Sequence, residues 1–246
     1  MDWGSVAGLL LALAGILIGQ ALEGGRIGSL VQPASFIIVM LGTLGAVLLQ
    51  SKLSNFMRAM QKLALVFVRQ VDDRNELLSR VTLWSMVARK RGLISLESFL
   101  EEESDPFIYK GLRLLIDGVP IETIKEIYNT ELYQYGELER SAIKVWDSAG
   151  GYAPTLGILG AVVGLIHVME NLSEPSMLGS GIAVAFVATI YGVGFANLVF
   201  IPIANKLKVI SQAQMVKREM FVEALSCIYY RENSMLVAER LSSYLV

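Results

Sequence analysis

"YAPTLGILGAVVGLIHVMENL", Tyr152 to Leu172, is an apolar run of membrane length with almost no bulk along one side. Pro154 opens it, and His167, the chain's only histidine, stands near its far end. Gly160 and Gly164 form a G-x-x-x-G pair, and Gly157 adjoins them on the same helical face. Lipid supplies no hydrophobic drive for helix association, so small residues matter because they let backbones approach closely. The stretch therefore predicts a bilayer-crossing helix whose smooth face packs on another helix or lets a partner slide past.

The composition supports the bilayer. Of 246 residues, 54% are hydrophobic and only 18% are charged, whereas a soluble domain carries roughly a quarter charged residues. A net charge near −2 gives no footprint for nucleic acid. One cysteine, Cys227, and one histidine exclude an internal disulfide and argue against a zinc or haem site, so no cofactor is expected. The opening "MDWGSVAGLLLALAGILIGQAL" has no basic n-region and no small-x-small cleavage site, so it reads as a retained first span.

Working outward, four apolar stretches approach the roughly 20 residues that cross a bilayer: Gly4 to Leu22, Pro33 to Leu49, Ala153 to Met169, and Gly179 to Ile203. The fold class expected is an all-α integral membrane protein with four transmembrane helices. A large helical cytoplasmic insert separates spans two and three. The corresponding organisation is 1–50 for the first two spans, 51–150 for the insert, 151–204 for the last two spans, and 205–246 for a helical tail. Lys52, Arg58, Lys62 and Arg69 follow span two before any acid, and Lys206, Lys208, Lys217 and Arg218 follow span four. The short connectors offer only Arg26, beside Glu23, Glu170 and Glu174. Basic residues stay inside, so the insert, the tail and both termini are expected in the cytoplasm.

Within the insert, "ELLSRVTLWSMVARKRG" carries basic residues in its last turn and Gly92 as a stop, as a helix C-terminus favours. "DPFIYKGLRLLIDG" places Asp105 at an N-cap, Pro106 at the first helical position and Gly118 after the end. A longer amphipathic helix leads from Pro120 into span three, and "FMRAMQKLALVFVRQ" reads as an extension of span two.

Span four, "GIAVAFVATIYGVGFANLVFIPIANKL", holds one notable polar residue, Thr189, and reaches Pro202 at its inner end. Intramembrane threonines commonly bond back to the preceding turn. Pro154 begins span three at the same inner level. His167 lies roughly 20 Å further up that helix and reads as an interfacial packing group. No Asp, Glu, Lys or Arg lies in the middle of any span. A proton-moving membrane protein usually needs an intramembrane ionisable group, so this chain either moves no ions or borrows the carboxylate from a partner.

These residues resemble a known family. The two stretches just quoted, "ARKRGLISLE" and the opening "GLLLALAGILIGQALEGG" are similar, in order and over essentially the whole chain, to bacterial flagellar stator subunits of the MotA type, with MotC and PomA variants. The related ExbB and TolQ proteins share the smooth helix pair but typically have three spans and an outside N-terminus. The resemblance implies a pentamer in the bacterial inner membrane around a dimer of single-span, peptidoglycan-binding MotB-type partners. Each partner helix would supply the Asp that binds and releases the ion. It further implies functional prolines at Pro154 and Pro202, and an ion path lined by Thr189, Ala161 and Thr155. In sodium-driven relatives a threonine or serine stands at the position of Ala161; alanine removes that ligand oxygen and favours H+ over Na+. Arg89 and Glu97, with Lys90 and Arg91 alongside, match the charged positions that engage the rotor protein FliG.

Two other readings stay open on sequence: an ExbB/TolQ-like energiser of outer-membrane processes, and a non-conducting membrane scaffold. A neighbouring gene for a one-span, peptidoglycan-binding protein with an Asp early in its span would discriminate. Enzymatic activity has no support, since no nucleophile–base pair, metal-ligand spacing or phosphate loop is present.

Overall fold

A computed structural model of the chain describes residues 2–69, 71–171, 173 and 175–245. Leu172 and Glu174, used above, and Met1, Gln70 and Val246 lie outside the described residues. The described residues form helices and turns without strands, and four of the helices are long and apolar enough to cross a membrane. The helices are α1 (Trp3–Leu22), α2 (Pro33–Gln50), α3 (Leu53–Phe67), α4 (Arg74–Arg91), α5 (Glu97–Leu100), α6 (Pro106–Ile116), α7 (Ile121–Glu170), α8 (Pro175–Phe195), α9 (Ile201–Tyr229) and α10 (Ser234–Ser242). They divide into two compact units, Met1–Arg69 with Glu139–Val209, and Gln70–Leu138 with Ile210–Val246. The tail therefore folds with the insert rather than as a separate segment, and residues 53–67 and 139–150 belong with the spans.

In the first unit, α2 buries one stripe, Ser35, Val39, Thr43 and Val47, at four-residue spacing. The Ser35 hydroxyl donates to the Val184 carbonyl at 2.8 Å, which locks α2 to α8. Tyr191 ties α8 to the residues just before α2: its hydroxyl donates to the Leu30 carbonyl at 2.5 Å and accepts from the Gln32 N–H at 3.2 Å. Span two does not extend into the next helix as the sequence suggests. Ser51 and Lys52 take extended backbone angles, so α3 is a separate helix after a two-residue break. Its inner face packs with α7 and α9 in a core of Val66, Ala142, Trp146, Phe200 and Leu207. The Trp146 indole N–H donates to the Ala59 carbonyl at 3.2 Å. Glu139, only 6% exposed, is neutralised by Lys62 at 2.6 Å, which a buried carboxylate requires.

The second unit has its own aromatic core. Tyr128 is fully buried; its hydroxyl donates to the Phe107 carbonyl at 2.7 Å. A Cβ on Gly111 would lie 2.8 Å from both that hydroxyl and Phe221, so glycine is what lets α6 close on α7 and α9. Asp105 caps α6 by accepting from the Phe107 N–H at 2.9 Å, as its sequence position suggests. The C-terminal α10 seals the unit with Val237 and Leu241, both fully buried. Arg240 on α10 reaches Glu223 at 3.2 Å and Glu232 at 3.1 Å.

Cys227 sits inside this core at 0% exposure, and burial pushes its thiol up to about 11. The thiolate is the nucleophile, so at pH 7.5 N-ethylmaleimide should label the native protein at least roughly 100-fold more slowly than the unfolded chain. A mass spectrum taken over the reaction time measures this, and equal rates would place Cys227 at a surface. Because the folded thiol keeps its proton above the ordinary value of 9.0, its contribution to stability is complete below that pH and is lost as pH rises toward 11.

Candidate ion-path hairpin

The last two spans, α7 and α8–α9, run antiparallel and touch through glycine. A Cβ on Gly157 would lie 2.9 Å from the Ala188 carbonyl oxygen and 3.1 Å from the Gly192 Cα. One on Gly192 would lie 2.5 Å from the Ala153 oxygen, and one on Gly164 3.0 Å from the Ala185 nitrogen. Gly160 faces Ala188 at 3.0 Å and Ile38 of α2 at 3.3 Å. All three sequence-predicted glycines are buried. Of the two uses left open for the smooth face, the structure spends these glycines on packing inside the chain, so they are not the surface along which a partner slides. The physical reason is that a glycine seam lets two backbones approach until their own atoms touch. What α7 exposes instead is bulky: Ile158, Leu159, Val162, Val163 and Ile166.

Register follows from these contacts. Gly150 meets Ile201, Ala153 meets Gly192, Gly164 meets Ala185, and a Cβ on Gly181 would meet Val168. Thr189 thus lies level with buried Gly160 and its neighbour Ala161, and the Thr189 and Ala161 side chains are each half-buried. Thr155 lies six residues nearer the inner end of α7, about 9 Å along the axis. Its exposed hydroxyl donates back to the Tyr152 carbonyl at 2.8 Å. The Thr189 hydroxyl makes no such back-bond among the described residues. The expected pairing of hydroxyl and alanine is therefore brought together, and Thr155 stands apart from it.

The two prolines lie toward the same end of the hairpin but not at one depth: with Gly150 against Ile201, Pro202 is about five residues, roughly 8 Å, beyond Pro154. Pro154 is inside α7 and half-buried, and denies an N–H to the Gly150 carbonyl. Pro202 is exposed in the first turn of α9. Directly before it, residues Ala196–Phe200 form a π-turn, a wide turn of the type that re-seats a helix where proline removes a donor. The π-turn leaves no pattern in side-chain hydropathy, and only its closeness to Pro202 could have signalled it. Sequence reasoning also missed Thr43. It is 1% exposed, and its hydroxyl has no partner among the described residues. His167 is exposed and its carbonyl accepts from the Asn171 amide at 2.8 Å.

In the second unit, Arg89, Lys90 and Arg91 end α4 and are exposed, Gly92 turns the chain with φ +87, and exposed Glu97 opens α5. None of the four charges forms an ion pair among the described residues. Four exposed charges around one turn are available to an outside partner.

Four membrane-length apolar helices without central charge, a glycine-seamed hairpin carrying two prolines, and a second unit with exposed charges define an all-α integral membrane protein. The family comparison is specific. Residues 100–220 match the MotA/TolQ/ExbB proton channel family, and residues 6–92 match the motility protein A N-terminal family. The chain is 36% identical to the uncharacterized protein YtxD of Bacillus subtilis over 94% of this chain and 84% of that one. It is 30% identical to motility protein A of the same organism over 100% of this chain and 91% of that one. In three dimensions it is similar to a chain of the flagellar MotAB stator complex from Bacillus subtilis, with TM-score 0.90 and 30% identity, covering 98% and 95% of the two chains. The chain belongs to the MotA/TolQ/ExbB proton channel family.

Proposed function

We propose that this chain is a stator subunit of the flagellar motor, which with a MotB-type partner forms an ion channel that converts ion flow into rotation. The observation that carries the reading is the uncharged hairpin of α7 and α8–α9. It offers a half-buried hydroxyl, Thr189, level with Ala161 and has no carboxylate of its own in the spans. The titrating acid belongs on the partner's single span.

The mechanism follows from electrostatics. A carboxylate in a low-dielectric groove is costly while charged and tolerated when protonated, so each protonation changes which surface the partner helix prefers. A proton crossing the membrane brings about 2.3 kcal/mol per 100 mV. Ala161 offers no ligand oxygen, whereas a hard cation needs several, so the transported ion in this reading is H+. Five copies surrounding a partner dimer would step around it, and the second unit would carry the motion to the rotor protein FliG. Arg89, Lys90, Arg91 and Glu97 suit that role because exposed charge pairs are weak enough to exchange repeatedly. The basic flanks after spans two and four support an inner-membrane placement with both termini in the cytoplasm.

The test is motility in a strain lacking its own stators and supplied with this chain and its partner. Swimming should persist in Na+-free medium and stop when a protonophore is added. Swimming that tracks sodium and survives the protonophore would overturn the ion assignment, and no swimming under either gradient would overturn the stator reading.

A further inference from the structure

The inner end of α1 is held by charge rather than by packing. No residue of α1 is buried. Asp2 caps the helix by accepting from the Gly4 N–H at 3.1 Å, its own N–H donates to the Phe67 carbonyl at 2.9 Å, and its carboxylate takes an ion pair from Lys206. Above this tie the helices part. A cavity of about 520 Å³ opens between α1, the end of α3, the π-turn and the start of α9. Gly4, Gly8 and Ala12 form one wall, and Leu198, Pro202 and Ile203 form much of the other. A Cβ on Gly8 would meet nothing within 4 Å.

We propose that this cavity binds the acyl chain of an anionic phospholipid of the inner leaflet, with its phosphate at Lys206 and Asn205. Depth comes first. The cavity begins at the basic inner flank and rises from Gly4 to Ala12, about 12 Å along α1, which spans most of the roughly 15 Å of one leaflet's hydrocarbon. Its walls are apolar apart from Asn197, nine residues before Lys206 and near the slot's upper end, whose amide donates to the Val193 carbonyl at 2.9 Å, and apart from the mouth, where Ser5 already donates to Asp2. The Asn205 amide and the Lys206 N–H groups beyond the one given to Asp2 are the donors left for a phosphate. Asp2 repels an anion, and it faces one ammonium that carries three donors. Depth and charge together select the occupant: an apolar slot of about one leaflet's length that ends at a lysine suits an acyl chain beneath a phosphate.

The experiment uses the complex of this chain with its partner, in phosphatidylcholine nanodiscs doped with phosphatidylglycerol carrying a photoactivatable diazirine in its acyl chain. Cross-linked peptides should map to Gly4–Ala12 and Leu198–Val209. Gly8→Leu, which fills the slot, and Lys206→Gln, which removes the headgroup donor, should each lower labelling at least five-fold. Ala12→Leu narrows the upper end and decides the matter if Gly8→Leu fails to assemble. Three results would overturn the proposal: labelling unchanged in these variants, equal labelling by a phosphatidylcholine probe, or a copy-to-copy disulfide from Leu198→Cys showing that a second subunit fills the groove.

Discussion

Replacing Gly192 with leucine is expected to destroy the hairpin. The first side-chain atom alone would sit 2.5 Å from the Ala153 carbonyl oxygen and 2.9 Å from the Gly157 Cα. Those neighbours are backbone, so no rotamer change relieves the clash and the two spans must move apart. Overpacking a well-packed site typically costs 1–3 kcal/mol and occasionally more. Here the cost should be about 3 kcal/mol or greater, because separation also releases the seam at Gly157 and Gly164. Thermal unfolding of the purified complex, or its level in membranes, measures the effect. Gly194→Ala is the control: nothing lies within 4 Å of its Cβ position, so it should stay within roughly 0.5 kcal/mol of the parent. A Gly192→Leu protein as stable as that control would show that the seam does not hold the hairpin.

The second large effect belongs to Thr189 and tests the proposed ion path. Thr189→Val keeps the shape and removes the hydroxyl. Packing should survive, because that hydroxyl makes no hydrogen bond among the described residues. Losing a polar partner for a charge in transit adds about 1–3 kcal/mol to the barrier, roughly a ten- to hundred-fold loss of flux. Torque on tethered cells should fall to the same degree while the complex elutes unchanged, and Thr189→Ser should restore it. Wild-type torque in Thr189→Val would remove the residue from the path. Thr155→Val should be milder, since that hydroxyl is already engaged with the Tyr152 carbonyl and lies away from Ala161.

Together these variants separate two uses of the same helices. Gly192→Leu reads whether the glycine seam holds the hairpin, and Thr189→Val reads whether the hydroxyl level with Ala161 belongs to the proposed path. Both uses favour small side chains at helical spacing, so one sequence pattern served both and could not distinguish them.

Much was legible before any coordinates. Four apolar runs must lie in lipid because water cannot accommodate them. Asp105, Pro106 and Gly92 marked helix ends through backbone chemistry local to each residue. The missing intramembrane acid was likewise plain from composition, since absence of charge needs no folding to be seen.

Other features were not legible, because they depend on which face meets which. The break at Ser51–Lys52 and the π-turn before Pro202 leave no pattern in side-chain hydropathy, and the packing of α10 against the insert joins residues far apart in sequence. The Asp2–Lys206 tie joins residues 204 apart, which no local pattern announces. Hydropathy and helix-end chemistry act residue by residue, so the sequence alone determined the spans and the want of a carboxylate within them. Close backbone approach is a property of pairs, so only the tertiary structure decided that the glycines turn inward, that Thr189 meets the level of Ala161, and where a cavity opens beside Pro202.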